Sequence, residues 1–250
     1  MTDQQRNRVE ILGIGVDTVT MAEALIIIEG FIKERVPRLI VTADAAGIVA
    51  AQSDPQWRSI MESADLVTPD SVGVLWAAER AGNPIVERVS GVDLVEKLVE
   101  RSVAGQFRIF FLGAAPGIAE KARKVLQERY QGANIIGVRD GYFNERDEAA
   151  IVDDIRELEP DVLFVAMGIP KQEKFIRRYL HEIGASVNMG IGGSFDVLSG
   201  SVKRAPLLLQ RMHLEWLWRL IQNPKKWRKV AALPTFWWLV MLSGRGSKTD

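Results

Sequence analysis

Mostly apolar runs alternate with amphipathic stretches through the middle of the chain. The runs are Phe107–Leu112, Asn134–Val138, Asp161–Met167 and Val187–Ile191. Between them apolar residues recur at helical spacing, as at Ile118, Ala122 and Leu126. Strands without a polar face are buried on both sides, as in parallel sheets covered by helices. The pattern therefore predicts an α/β fold with a mostly parallel, Rossmann-like sheet flanked by helices.

The first hundred residues continue this pattern with shorter elements. Strands are predicted over Ile11–Val16, Arg38–Thr42 and residues 65–68. A helix is predicted over Met21–Lys33, with Asp17 or Thr18 as its N-cap. Asp54-Pro55 begins another helix, since proline is tolerated at the first helical position. Further helices are expected over Val72–Ala81 and Leu94–Ala104.

The character of the chain changes after Ser201. A long helix is predicted to start at Lys203-Arg204-Ala205-Pro206 and to run to about Ile221, before Asn223-Pro224 breaks it. The apolar run Ala231–Leu242 is too short to span a bilayer, which needs roughly 20 residues. We therefore expect two domains: an α/β core over residues 1–200 and a helical appendage over residues 201–250.

Composition and charge narrow the possible chemistry. The 250-residue chain has no cysteine and two histidines, which excludes disulfides, thiolate catalysis, cysteine zinc sites and a histidine-rich metal site. The net charge of zero hides an asymmetry, because residues 201–250 hold 10 of the 32 basic residues but 2 of the 32 acidic ones. Five of the seven tryptophans also lie there. A basic, aromatic appendage is suited to an anionic membrane surface, and we assign that contact to residues 203–242.

Acidic residues follow two neighbouring predicted strands. Asp70 comes directly after the strand over residues 65–68, where parallel α/β sheets usually bind ligands. Its alternative role is as N-cap of the next helix. Asp44 follows the preceding strand. Asp65 begins its own strand and is expected at the opposite edge of the sheet.

Three glycine-rich turns are expected near Asp70: Gly113–Gly117, Gly168–Gln172 and Gly192–Ser194. Free N–H groups in such turns, including those of Gly192 and Gly193, can bind phosphates at helix N-termini. The same glycines also occur simply because they close βα turns. None of the turns has the GxGxxG or Walker pattern, so a dinucleotide dehydrogenase or epimerase lacks support.

Three polar residues near these turns each have a functional and a structural interpretation. Gln172 offers an amide to a base or ribose, or else belongs to a solvated first helical turn. Asp196 binds a ribose hydroxyl or caps a helix. Arg88 pairs with a phosphate or with Asp93.

Six segments, in order and spacing, resemble the WecG/TagA/CpsF glycosyltransferase family. They are VTADAAGIVAAQSDPQWRSIMESADLVTPDSVGVLWAAERAG, ERVSGVDLVEKL, FFLGAAPGIAEKA, GIPKQEKFI, GIGGSFDVLSGSVKRAP and LEWLWRLIQNPKKWRK. The resemblance implies transfer of a sugar, such as N-acetylmannosamine or its uronic acid, from a UDP carrier to an N-acetylglucosaminyl-diphospho-polyprenol. It also implies an inverting, metal-independent reaction that uses no cofactor.

The resemblance assigns roles to individual positions. Asp70 falls on the proposed general base of a P-D-G motif, with Thr42 and Asp44 on the T-x-N motif. Gln172 and Asp196 are expected near the nucleotide, and Arg219 near the diphosphate. Two positions depart from the pattern: Asp44 replaces asparagine, which affects the expected sugar, and Ser71 replaces glycine.

The implied chemistry needs a base for the acceptor hydroxyl and positive charge beside the departing diphosphate. Without a metal, Lys203, Arg204, Arg219 and the helix N-termini would supply that charge. The alternative is a non-catalytic UDP-sugar-binding protein or a Rossmann-type protein that modifies sugar nucleotides.

The polar first ten residues lack an apolar signal core. We therefore expect a cytoplasmic protein, peripheral on the inner face of the membrane. We expect no nucleic-acid partner, and a homo-oligomer stays open.

Overall fold

A computed structural model of the chain describes residues 7–203, 205–206, 209, 215–222 and 227–243. It confirms the α/β class. Two strands form an antiparallel hairpin, and six form one all-parallel sheet. The hairpin strands are β1 (Arg8–Ile11) and β2 (Ile14–Asp17). The sheet strands are β3 (Arg38–Ala43), β4 (Leu66–Pro69), β5 (Ile109–Gly113), β6 (Ile135–Arg139), β7 (Val162–Ala166) and β8 (Val187–Gly190).

Helices cover both faces of this sheet and continue into the appendage. Those of the first 200 residues are α1 (Met21–Glu34), α2 (Ala45–Ala51), α3 (Pro55–Glu62), α4 (Val72–Arg80), α5 (Gly91–Gly105), α6 (Ile118–Arg129), α7 (Glu148–Glu157), α8 (Lys171–Ile183) and α9 (Ser194–Leu198). A 3-10 turn, Glu145–Asp147, precedes α7. The appendage contributes α10 (Glu215–Gln222) and α11 (Trp227–Ser243).

The strand order is β4-β3-β8-β7-β5-β6. One buried cluster lies under α1, α5, α6 and α9, and the other lies under α2, α3, α4, α7, α8 and α11. After β5 the chain crosses to β6 on one face, whereas after β7 it crosses to β8 on the other. The carboxyl ends of β5 and β7 therefore flank a topological switch point, where open α/β sheets bind ligands.

The predicted strand over Ile11–Val16 is wrong. The chain reverses at Leu12 and Gly13, and Ile11 pairs with Ile14 across this two-residue turn. Both turn residues have positive φ, 52° and 81°, as a type I′ hairpin requires. The apolar run therefore spans a hairpin, and glycine supplies the left-handed conformation at its tip.

The N-cap predicted for the first helix is also wrong. Thr20 caps α1 and forms a capping box with Glu23. Asp17 is fully buried instead, accepting hydrogen bonds from Arg8 Nε at 3.0 Å and from the Val67 amide at 2.7 Å. The carboxylate that looked like a cap therefore ties the hairpin to edge strand β4.

Helix α11 packs on the core. Phe236 and Val240 of α11 are buried in the same cluster as α2 and α4. The predicted helix from Lys203 to Ile221 falls partly outside the described residues; its described end is α10. No helix in the described part of the chain combines the length and apolarity needed to cross a membrane.

Candidate active site

Asp70 lies at the carboxyl edge of the sheet, directly after β4. Its amide N–H donates to the Ala43 carbonyl at 3.0 Å, continuing the pairing of β3 with β4. Its Oδ1 accepts the N–H of Gly91, the first residue of α5, at 3.1 Å. Ser90, the N-cap of α5, makes no side-chain capping bond. The N-terminus of this 15-residue helix therefore directs a backbone N–H, and the positive end of its dipole, at the Asp70 side chain.

Thr42 faces the same point from β3. A Cβ added at Gly91 would lie 3.4 Å from Thr42 Cγ2 and 3.7 Å from Asp70 Oδ2. The Thr42 hydroxyl donates to the carbonyl of Gly190 at 3.4 Å. Thr42 is buried, while Asp70 is half-buried. The structure thus brings two of the sequence-predicted residues together around a glycine without a side chain.

Asp44 and Ser71 begin two neighbouring helices. Asp44 Oδ1 accepts the Gly47 N–H at 2.6 Å and caps α2. The Ser71 hydroxyl caps α4 by accepting the Val74 N–H, and it also accepts the Ala45 N–H at 3.2 Å. Ser71 is therefore the cap expected of Asp70, and its hydroxyl has a structural use that a glycine would lack.

Gln172 is buried rather than solvated. Its Oε1 accepts the N–H groups of both Gly168 and Gly192, each at 3.0 Å. Its Nε2 donates to Glu173 Oε1 at 2.8 Å. These two glycine N–H groups are therefore already used within the fold, and the assignment of Gly192 to the substrate site stays a prediction. Among the described residues, the amide of Gly193 makes no hydrogen bond and stays available for an anion.

Asp196 and Arg88 lie on segments that border the site. Gly193 is the N-cap of α9, so Asp196 is not the cap; its side chain is half-buried in the first turn of α9. Arg88 is half-buried and precedes Val89, whose N–H donates to the Pro69 carbonyl at 2.9 Å. The backbone beside Arg88 is thus tied to the residue before Asp70.

The basic residues of the appendage are described only in part. The Lys203 carbonyl accepts hydrogen bonds from Trp218 Nε1 at 3.0 Å and from Gln222 Nε2 at 2.8 Å. Arg204 lies outside the described residues. Arg219 belongs to α10, but its side chain is also outside the description. The start of the appendage is therefore fastened to α10, and the roles of its cations stay predictions.

Helix α11 reaches the elements that begin near Asp44 and Asp70. It packs on α2 and α4. A Cβ added at Gly73, in the first turn of α4, would lie 3.5 Å from the Phe236 ring. The appendage therefore supports the two helices whose N-termini border the site.

Two cavities that the sequence did not reveal adjoin the loop after β6. One is about 360 Å³ and is lined by residues that include Gly117, Arg139, Asp140 and Tyr142. The other is about 500 Å³ and is lined by Gly141, Tyr142, Phe143, Asn144, Asp147 and Lys171. Tyr142, 76% exposed, borders both. The turn-forming sequence Asp140-Gly141 directly after a strand was the available signal.

At the carboxyl edge of the sheet, the Asp70 carboxylate lies beside backbone N–H donors at helix N-termini. Asp70 can accept a proton, and the N-termini of α2, α4 and α5 meet near it. Within the described residues, no three His, Asp or Glu side chains converge in a possible metal site. The metal and cofactor requirements stay predictions.

Comparison with known proteins supplies the family. The Glycosyl transferase WecG/TagA/CpsF family matches residues 9–250. Two Bacillus relatives carry the name N-acetylglucosaminyldiphosphoundecaprenol N-acetyl-beta-D-mannosaminyltransferase. The protein from Bacillus spizizenii is 38% identical over 83% of this chain and 80% of its own length. The protein from Bacillus subtilis is 33% identical over 88% and 85%.

A third relative of the same name, from Staphylococcus aureus strain MW2, is 29% identical over 99% of both chains. The similarity thus extends over both the sheet and the appendage. The carboxyl-edge geometry and this match lead to one conclusion: the chain belongs to the WecG/TagA/CpsF family of glycosyltransferases and is a hexosyltransferase.

Proposed function

We propose that the protein transfers N-acetylmannosamine or a related hexose from a UDP-sugar to an N-acetylglucosaminyl-diphospho-polyprenol, with inversion at the anomeric carbon. The observation that carries the proposal is Asp70, held by the Gly91 amide beside Thr42 at the carboxyl edge. The names of the relatives support the acceptor and the sugar.

In the proposed reaction, Asp70 removes the proton from the attacking hydroxyl of the acceptor sugar as general base. The hydroxyl oxygen then forms a bond to the anomeric carbon while the bond from that carbon to the diphosphate oxygen breaks. UDP leaves with the bonding electron pair. Arg88, Lys203, Arg204 and Arg219 are the proposed cations that stabilise its charge.

The donor is proposed to lie along the carboxyl edge, across the switch point between β5 and β7. Its sugar points toward Asp70 and Thr42, and its nucleoside points toward β6. Gln172 and Gly192 support the middle of this path, and Gly193 and Asp196 line it. Tyr142, an exposed ring between two cavities, supports the nucleoside end because aromatic faces stack on bases.

The test is UDP release and product mass with UDP-N-acetylmannosamine and a polyprenyl-diphosphate-N-acetylglucosamine analogue. We expect a disaccharide product whose new linkage is β. An absence of transfer from every UDP-sugar in a panel would contradict the proposed activity, and product with retained anomeric configuration would contradict inversion.

The appendage is proposed to hold the protein on anionic membrane at the inner face. Leu217, Ile221, Trp237, Trp238 and Leu242 are exposed on α10 and α11, and the surrounding sequence is basic. Several exposed apolar side chains on neighbouring helices can enter a lipid interface, while nearby basic side chains bind the anionic headgroups.

Flotation with vesicles of anionic lipid tests this proposal. Replacing Trp237 and Trp238 together by serine should abolish most binding, whereas Ile26→Ser, an exposed apolar position on α1, should not. Equal flotation of the two variants and wild type would refute it.

A further inference from the structure

Gln172 joins the two turns that follow neighbouring strands β7 and β8. Its Oε1 accepts one hydrogen bond from Gly168, two residues beyond β7, and one from Gly192, two residues beyond β8. Both bonds are 3.0 Å long. A single amide oxygen therefore sets the separation of two turns at the switch-point side of the carboxyl edge.

The amide nitrogen of Gln172 also has a hydrogen-bond partner within the fold. Gln172 Nε2 donates to Glu173 Oε1, and both side chains are almost completely buried. A Cβ added at Gly190 would lie 2.5 Å from each of these two atoms. The same Gly190 accepts the Thr42 hydroxyl through its carbonyl. The amide is therefore linked through β8 to the residues around Asp70.

This geometry leaves the Gln172 oxygen no capacity for a ligand. A carbonyl-type oxygen has two lone pairs, and the two glycine N–H groups use both. The side chain is 1% exposed, so it has almost no surface that a ligand could touch. An effect of Gln172 on catalysis must then pass through the turns that it fixes.

We propose that Gln172 is a positioning residue, which clamps the turns after β7 and β8 in the spacing that the donor diphosphate requires. The inference rests on the proposed UDP-sugar donor for its consequence, but the clamp itself rests on contacts within the fold. Loss of the clamp should separate Gly193 from the β7 turn and lower kcat/KM for the donor, by roughly 10–100-fold if the turns shift by about 1 Å.

The decisive experiment reverses the direction of the buried hydrogen bond between the side chains of residues 172 and 173. Gln172→Glu alone places two carboxylates side by side and should lower kcat/KM by the amount just given. Adding Glu173→Gln gives an amide donor at 173 and a carboxylate acceptor at 172, which keeps both glycine bonds and the net charge. The double variant should recover to within about threefold of wild type, as expected for a restored pair.

A direct contact between the Gln172 amide N–H and the donor predicts the opposite result. The double variant would then stay as impaired as Gln172→Glu, and the clamp would be refuted as the route to catalysis. Gln56→Glu, at an exposed position in α3, is the matched control for an added carboxylate and should leave kcat/KM unchanged.

Residue-resolved amide exchange provides a readout independent of turnover. In wild type the Gly168 and Gly192 amides should be protected, and Gln172→Met should accelerate both at least about tenfold. The amide of Phe111, inside β5, should stay protected, which separates clamp loss from unfolding. Unprotected glycine amides in wild type would refute the clamp; a protein that transfers no sugar would instead contradict the proposed function.

Discussion

The two edges of the central sheet use aspartate differently. At the amino edge, Asp65 accepts the Leu39 N–H at 2.9 Å and pairs with Arg38 at 2.9 Å. Asp161 likewise precedes β7 and accepts the Arg108 N–H at 2.7 Å. At the carboxyl edge, Asp44 and Asp70 accept N–H groups from the first turns of α2 and α5.

The contrast follows from the direction of parallel strands. Each strand of this sheet leads into a helix at its carboxyl edge, so unpaired N–H groups collect there and make that edge electropositive. At the amino edge, both acids join neighbouring strands, and Asp65 also pairs with Arg38. Residues of one type thus join strands at one edge of the sheet and accept N–H groups from helix N-termini at the other.

The largest expected effect separates the two edges directly. Asp70→Asn should lower kcat at least about 100-fold, because the amide cannot take the acceptor proton, and it should change the free energy of unfolding little. Asp65→Asn should leave kcat within a few-fold and lower the free energy of unfolding by about 1 kcal/mol through loss of the Arg38 pair. Steady-state kinetics and urea unfolding measure both quantities.

A reversed or uniform pattern of effects would contradict this difference between the two edges of the sheet. Asp70→Asn with kcat within a few-fold of wild type would exclude Asp70 as the base. An equal loss of kcat in Asp65→Asn would mean that the amino edge also reports on catalysis.

A smaller effect is expected from filling the space between Thr42 and Asp70. Gly91→Ala places a methyl group 3.4–3.7 Å from those side chains and should lower kcat/KM about tenfold, as one methylene can in a tight pocket. The control is Gly30→Ala in α1, where the added Cβ would have no neighbouring atom within 4 Å. That change should stabilise the fold by about 0.5–1 kcal/mol and leave kinetics unchanged. Unaltered kinetics in Gly91→Ala would show that the acceptor does not approach Gly91.

The smallest effect concerns an acid with a purely structural role. Asp54 caps α3, and a hydrogen bond from Lys174 of α8, at 2.6 Å, is the main cause that lowers the pKa of its carboxyl. Because the folded-state pKa lies below the unfolded value of about 3.9, ionised Asp54 stabilises the protein above that pH. This contribution is lost as the pH falls from about 3.9 through the folded-state pKa.

Asp54→Asn should therefore reduce the difference in unfolding free energy between pH 7 and pH 3, with little change in kcat. Urea titrations at the two pH values measure it. An unchanged difference would show that the Lys174 pair does not contribute to acid sensitivity.

Much of the fold was predictable because its signals are local. The apolar runs gave every strand of the parallel sheet within a few residues, and Asp54-Pro55 correctly marked the start of α3. The hairpin at Leu12 and Gly13 was missed because an apolar run does not reveal a reversal whose strands face the core. The Thr20 cap was missed because Asp17, three residues earlier, is an equally good capping residue in isolation.

The candidate site also contains residues that the sequence located correctly and contacts that it did not reveal. The sequence positioned Asp70 and Thr42 at the carboxyl edge, since residues that follow parallel strands must lie there. It missed the burial of Gln172, because Gly192, which donates to its side chain, and Gly190, which lies against it, are about 20 residues away along the chain. The exposed position of Tyr142 was missed because it depends on how the loop after β6 lies beside Lys171, at the start of α8.

The α/β class, the alternation of strands and helices, and the family follow from the sequence alone. These properties rest on short-range periodicity and on motifs in a fixed order. The folded structure was needed for the strand order β4-β3-β8-β7-β5-β6, the hydrogen bond between Asp70 and α5, and the identity of the glycine N–H groups that donate to Gln172. The physical reason is that strand order and side-chain hydrogen bonding depend on contacts between distant residues, which local periodicity does not encode.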